Sequence, residues 1–336
     1  MNMSKNLPLD IKKKNQIIVA LYITNKCNLR CDYCFVVKGI KVMNISLAKK
    51  IIDYFVSNKD KEIIPTFLGG EPLVEWSLVK KIVAYSEKKG INKFNLATNG
   101  LLINREKLDF FAKHNFTIQF SFDGISNAQD ASRRRINGKG TFREVEKKLD
   151  LILDSDKKIT FEIRLTLTKD NLDYLVSSIF FLLNKGIVEN RINIMPVIGE
   201  KWNTNEFNKL KDSVVQIKKL YQSLNITPNI FINECIDKKH SNILSLSDNC
   251  SCGCGSRVVC VDYTGKIYSC FIAAGLSKEN RKFFLIGDIK NNLKSLSHNK
   301  NRYLSCPVWT TIYAKSAINS YKKIYQIWGT GLLYII

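Results

Sequence analysis

The chain has 336 residues, 45% of them hydrophobic, and carries 52 Lys and Arg against 30 Asp and Glu, for a formal charge of +22. That length and apolar content suffice for a buried core and exclude a disordered chain. The basic balance favours an acidic peptide, a nucleic acid or an anionic surface as partner. It fits equally well a Lys-rich coding bias spread over solvated helix faces, because the basic residues form no single stripe.

Residues 1–16 form a basic tail with Lys5, Lys12, Lys13 and Lys14, without an apolar run of signal-peptide length. No later segment has the roughly eighteen uninterrupted apolar residues of a membrane span. A soluble, cytoplasmic protein with no membrane partner is expected. In that compartment thiols stay reduced, so the ten cysteines point to metal, catalysis or chance burial rather than to disulfides. The tail is too short for a separate leader-binding domain, a role that a partner protein would then fill.

Apolar patterning predicts strands over 17–23, 63–68, 92–97, 116–121, 159–166 and 191–196. Between them it predicts helices over 46–57, 75–89, 104–114, 141–154 and 171–185, with another near 205–223. Such alternation implies an α/β fold with a parallel sheet and right-handed crossovers, either open or an incomplete barrel. Both place ligands at the carboxyl ends of strands. A first domain over 17–223 is followed by a polar connector over 224–249 and a smaller cysteine-rich unit over 250–336. There is no tandem repeat and no low-complexity tract.

Directly after the first strand, Cys27, Cys31 and Cys34 put three thiols within eight residues. Such a loop can wrap one face of an iron–sulfur cubane, and three ligands for four irons leave one iron open for catalysis. Zinc is the competing reading, but it needs a fourth ligand. The three histidines, His114, His240 and His298, all lie far away in sequence.

The C-x3-C-x2-C spacing with Tyr33 before the third cysteine resembles the radical S-adenosylmethionine (SAM) superfamily. Membership would imply a partial (β/α)6 barrel, a 4Fe-4S cluster whose open iron binds SAM, and reductive cleavage of SAM to a 5'-deoxyadenosyl radical. By the same resemblance Tyr33 packs near the adenine. Gly69-Gly70-Glu71-Pro72 resembles the family's G-G-E-P motif, whose backbone and Glu71 meet the methionine amino group. Thr98-Asn99-Gly100 matches a T-N-G turn, and Ser121-Phe122-Asp123-Gly124 an S-x-D-G turn whose Ser121 and Asp123 face the ribose and methionine end. Taken singly, each is an ordinary turn; their order after successive strands carries the likeness.

Arg164, on the fifth predicted strand, faces away from Ile163 and Leu165 and needs an anion, either the SAM carboxylate or a carboxylate on another strand; Glu162 is expected on the opposite face. Of Arg133, Arg134 and Arg135, which could grip an acidic peptide, two are expected to be solvated.

In the last unit, a hairpin is expected over 258–263 and 266–270, turning at Thr264-Gly265. Cys252, Gly265 and Cys270 resemble the opening of a SPASM or twitch extension, which carries auxiliary clusters in relatives that modify peptides. Residues 287–289 resemble the short strand that follows it. The rest of the SPASM cysteine set is missing; only Cys306 follows. The resemblance therefore implies one auxiliary iron–sulfur cluster, from Cys252, Cys270 and two of Cys250, Cys254, Cys260 and Cys306. Cys235 reads as a small buried hydrophobe. Phe271 stands where sulfatase-maturing relatives carry an Asp base, which disfavours formylglycine formation.

The resemblance implies hydrogen-atom abstraction from a peptide or small protein, an acidic one by charge. An electron donor such as flavodoxin or ferredoxin would serve it, and nucleic acid is not the expected partner. Three alternatives stay open: an RNA-modifying enzyme of the same family, an inactive peptide-binding relative, and a zinc-bound basic nucleic-acid module.

Overall fold

The computed structural model describes residues 16–57, 61–197, 200, 202–226 and 257–291. Six strands alternate with helices as the patterning predicts: β1 (Gln16–Thr24), β2 (Glu62–Gly69), β3 (Phe94–Thr98), β4 (Phe116–Ser121), β5 (Thr160–Leu167) and β6 (Ile192–Pro196). They pair in parallel in that order. Every residue of β1 from Ile18 onward is buried, as expected of a β-branched run covered on both faces.

Each connecting helix buries one stripe. In α1 (Ile45–Ser57) the stripe is Leu47, Ala48, Ile51, Ile52 and Phe55, and in α2 (Trp76–Glu87) it includes Val79, Ile82 and Val83. Helix α3 (Arg105–Lys113) starts at an Asn104 cap. Helix α4 (Ser126–Ser132) was not foreseen, because its small polar sequence has no apolar periodicity. Its Gln129 is fully buried and ties Asp123 N to Thr141 Oγ1. Helices α5 (Phe142–Leu153), α6 (Leu175–Asn184) and α7 (Thr204–Ser223) complete the layer, the last opened by an Asn203/Glu206 capping box.

Outward residues of the strands, among them Val19, Leu21, Phe67, Leu96, Ile118 and Ile163, pack against these helices in one continuous core. Inward residues Ile18, Thr66, Asn95, Thr117, Gln119 and Arg164 line one interior cavity among the described residues. The sheet therefore curls around that cavity as an incomplete barrel.

Strands β7 (Val258–Asp262) and β8 (Lys266–Tyr268) form the predicted hairpin, and β9 (Leu285–Asp288) follows two short helices, α8 (Phe271–Gly275) and α9 (Lys278–Arg281). These elements share the sheet of the barrel. Strand β7 pairs in parallel with β1, giving the order β6-β5-β4-β3-β2-β1-β7-β8-β9. Because β1 pairs with β2 on one side and with β7 on the other, it is an interior strand rather than an edge, and β7 itself is buried throughout. A chain ending at residue 226 would bare a long apolar edge on β1. We expect such a chain to aggregate, read by size-exclusion chromatography at low micromolar concentration as a shift to the void volume that the full chain does not show.

Candidate active site

Between β1 and α1 the chain leaves the sheet as a loop pinned at its neck. Thr24 Oγ1 donates to Lys41 O (2.9 Å), Asn25 N to the same oxygen (3.1 Å), and Lys41 N to Asn25 Oδ1 (2.7 Å). Its flank is held by Arg30 N donating to Arg134 O (2.8 Å) and Asp32 N to Ser132 O (3.2 Å), while Leu29 is buried as an apolar peg. Cys27, Cys31 and Cys34 project from this scaffold, partly exposed and unbridged.

Burial pushes the Cys27 thiol up, against a partial pull from Lys38. Burial pushes Cys31 up to about 12, although the nearby Arg133 lowers it. Thiols so far above neutrality bind metal only by surrendering their protons. Lys38 Nζ lies 3.0 Å from Cys34 Sγ. Burial opposes its charge, but the neighbouring Cys34 and Cys27 outweigh that and leave the ammonium above the ordinary lysine value.

The paired glycines work by close approach. Gly70 N donates to Thr24 O and Glu71 N to Lys26 O, both at 2.8 Å. A Cβ on Gly69, whose φ is +147°, would lie 2.2 Å from Thr24 O, and one on Gly70 would lie 2.0 Å from Lys26 O. Glu71 is 1% exposed, and its carboxylate accepts from Leu73 N (3.0 Å), Thr98 Oγ1 (2.8 Å) and Asn99 N (2.8 Å). Three of about four acceptor positions are thus used. Asn99 Nδ2 donates to Asn28 Oδ1 (2.8 Å) and lies 4.0 Å from Cys27 Sγ. The G-G-E-P and T-N-G turns are therefore joined to each other and to the cysteine loop.

The S-x-D-G turn is anchored from behind. Asp123 is fully buried and accepts from Arg133 Nε (2.7 Å), Arg133 Nη2 (3.0 Å) and Thr166 N (2.8 Å). The guanidinium lies over the Tyr33 ring at 5.4 Å. Arg133 is thus the buried member of the arginine run, and Arg134 is exposed. The sequence carried no signal for this pairing beyond the run itself.

Ser121 stands opposite Arg164 in the β4–β5 register. Burial draws Arg164 down to about 10, and Glu162 opposes the shift. Glu162 was expected on the opposite face of β5; this is corrected, because residues two apart on a strand share a face. Glu162 accepts from Gln119 Nε2 (2.7 Å), which also points inward.

Of the auxiliary set, Cys260 and Cys270 are buried in a small apolar cluster with Ala20, Tyr22, Val36 and Tyr268. Burial raises the Cys260 thiol well above its usual value, and Cys270 adds to the rise. Cys252, Cys254, Cys250, Cys235 and Cys306 lie outside the described residues.

The first cysteine loop fits an iron–sulfur cluster: three thiols close enough to influence one another, a two-glycine cradle beside them, and a cation on one sulfur. Among the described residues no three His, Cys, Asp or Glu side chains converge on one metal-ion position. A cubane needs no such point, since each thiolate meets a different iron. No described helix is long and apolar enough to cross a membrane.

Two outcomes follow from this geometry. Gly70→Ala should keep the fold, read by circular dichroism, but displace Lys26 and cut iron retained after anaerobic reconstitution several-fold. Burial pushes Glu71 up from 4.5 to about 6. Its contribution to stability is then complete below pH 4.5 and lost as pH rises through 6, a cost of about 2 kcal/mol at neutrality. In urea unfolding of the metal-free protein, the parent should lose about that much relative to Glu71→Gln between pH 4.5 and 7.5.

Comparison with known proteins agrees with the geometry. The sequence pattern of the Radical SAM superfamily matches residues 21–182. An uncharacterized protein of Methanocaldococcus jannaschii is 32% identical over 240 residues, 64% of this chain and 80% of that protein. The radical SAM cyclopropyl synthase TigE of Paramaledivibacter caminithermalis is 23% identical across 90% of this chain, which spans 64% of TigE. A GTP 3',8-cyclase of Staphylococcus epidermidis is 24% identical over 81% of this chain and 84% of that enzyme. Among solved structures, anSMEcpe with bound AdoMet superposes with a TM-score of 0.68 at 20% identity, over 85% of this chain and 81% of that one, a likeness of fold. With a three-cysteine loop at the mouth of a partial barrel and the family pattern laid over that same region, the chain belongs to the radical SAM superfamily, whose members use a 4Fe-4S cluster and S-adenosylmethionine.

Proposed function

We propose that this radical SAM enzyme modifies a peptide or small protein by abstracting a hydrogen atom from it. The observation that carries the reading is the continuation of the barrel sheet through β7 and β8 into α8, against the cysteine loop. Val37 N donates to Gly275 O (3.0 Å), and a Cβ at Gly275 would lie 2.8 Å from the Phe35 ring. A fold neighbour, native anSMEcpe, was solved with AdoMet and a peptide together, and TigE, a cyclopropyl synthase by name, aligns across 90% of the chain. The positive charge suits an acidic substrate.

In this reading Cys27, Cys31 and Cys34 hold the cluster, which when bound supplies the electron that cleaves SAM. The backbone of Gly69 and Gly70 and the remaining acceptor position of Glu71 suit the methionine amino group. Ser121 and Arg164 suit its carboxylate end, and Tyr33 backs the adenine. Asp123 acts through Arg133, holding Tyr33 and the β4–β5 ends in place, since both its oxygens are engaged. Phe271 lines the interior cavity and offers no base there, so formylglycine formation is not the reaction proposed. One auxiliary cluster would draw on Cys252, Cys270 and two of Cys250, Cys254, Cys260 and Cys306, and flavodoxin or ferredoxin would deliver electrons. A GTP-like nucleotide is the competing substrate class.

After anaerobic reconstitution with iron and sulfide, the parent should form 5'-deoxyadenosine from SAM and dithionite, and Cys31→Ala should form none. Turnover raised by an acidic peptide library but not by GTP would support the peptide reading. Stimulation by GTP alone would replace it.

A further inference from the structure

Lys38 lies four residues beyond Cys34 and forms no part of the motifs that announce the cysteine loop. Its Nζ lies 3.0 Å from Cys34 Sγ, and Cys27 and Cys31 act on it electrostatically as well. The backbone fixes this placement from both sides. Val37 O accepts from Asn25 Nδ2 (3.3 Å), Val37 N donates to Gly275 O, and Gly39 N donates to Asn25 O (3.2 Å). A side chain at residue 39 would meet Asn25, with Cβ 2.6 Å from its Nδ2.

The other cations around the loop are hydrogen-bonded to groups other than the thiols, although Arg133 also acts on Cys31 through its charge. Arg133 is paired with Asp123, Lys26 with Glu75 (2.9 Å), and Arg30 donates to Cys27 O and Leu29 O. Lys38 has no ion pair with a carboxylate among the described residues; its polar contact there is the sulfur of Cys34.

We propose that Lys38 sets the reduction potential of the cluster, through a charge-assisted N–H···S hydrogen bond to Cys34 and a positive charge beside the metal centre. The inference rests on Cys27, Cys31 and Cys34 being the cluster ligands. Hydrogen bonds to ligand sulfur and local net charge are among the levers that tune iron–sulfur potentials. One electron enters from an external one-electron donor and adds one negative charge, while Lys38 keeps its proton. A fixed cation favours the more negative state, so Lys38 makes reduction easier.

The test is EPR-monitored redox titration, without SAM, of reconstituted parent, Lys38→Met, Lys38→Gln and Lys38→Arg, each with iron and sulfide content measured. Lys38→Met should keep the 4Fe-4S spectrum while its equilibrium constant for reduction falls about tenfold, about 59 mV more negative for a one-electron couple. Lys38→Arg should restore a value near the parent's. An unchanged potential in a fully loaded Lys38→Met protein overturns the proposal. If Met prevents loading, Lys38→Gln, which keeps a donor without charge, is held to the same criterion. A parent that yields no 4Fe-4S signal would refute the ligand assignment instead.

Discussion

The carboxyl ends of β1 and β2 touch backbone to backbone, and the site is built outward from that contact. Gly70 N and Glu71 N donate to Thr24 O and Lys26 O at distances that leave no room for a Cβ on either glycine. The contact fixes where the cysteine loop departs and places the Glu71 carboxylate beneath it. Glu71 then gathers the T-N-G turn of β3, and Asn99 reaches back to Asn28 in the loop. Three successive strand ends are thereby locked into one unit, and a displacement at any of them reaches the thiols.

A second constraint comes from the far side of the barrel. Asp123 and Arg133 bury two opposite charges joined by two hydrogen bonds, with Thr166 N donating to the carboxylate as well, the condition under which such a pair is tolerated in an interior. The guanidinium also lies over Tyr33, inside the cysteine loop, and reaches Thr166 Oγ1 on β5 (3.1 Å). The β4 and β5 ends are therefore tied to the loop through one side chain. Helix α4 delivers Arg133, and the buried amide of Gln129 aligns that helix with the S-x-D-G turn.

The third support is the continuation of the sheet past β1. Pairing with β7 protects a strand that would otherwise expose an apolar edge, and it brings α8 against the outer side of the loop. That packing places Gly275 beside Phe35 and fixes the backbone flanking Lys38. Stability of the barrel and placement of the loop's cation thus share one set of contacts.

Much of this was legible in the residues themselves. Period-2 and period-3.6 patterning places the six barrel strands and their helices within a few residues, because β1 or α1 must bury a defined face wherever it packs. The cysteine spacing and the turns after successive strands declare the chemistry, because a cluster ligand loop and close backbone approach demand particular residue types at particular separations. Alternation also held the answer for Glu162, which shares a face with Arg164. Tertiary structure alone decided the rest. That β7 joins β1, that Arg133 rather than its neighbours is buried on Asp123, and that Lys38 reaches Cys34 all depend on residues distant in sequence or on loop paths without periodicity. Such contacts arise from packing and electrostatic satisfaction in three dimensions, and no local repeat encodes them.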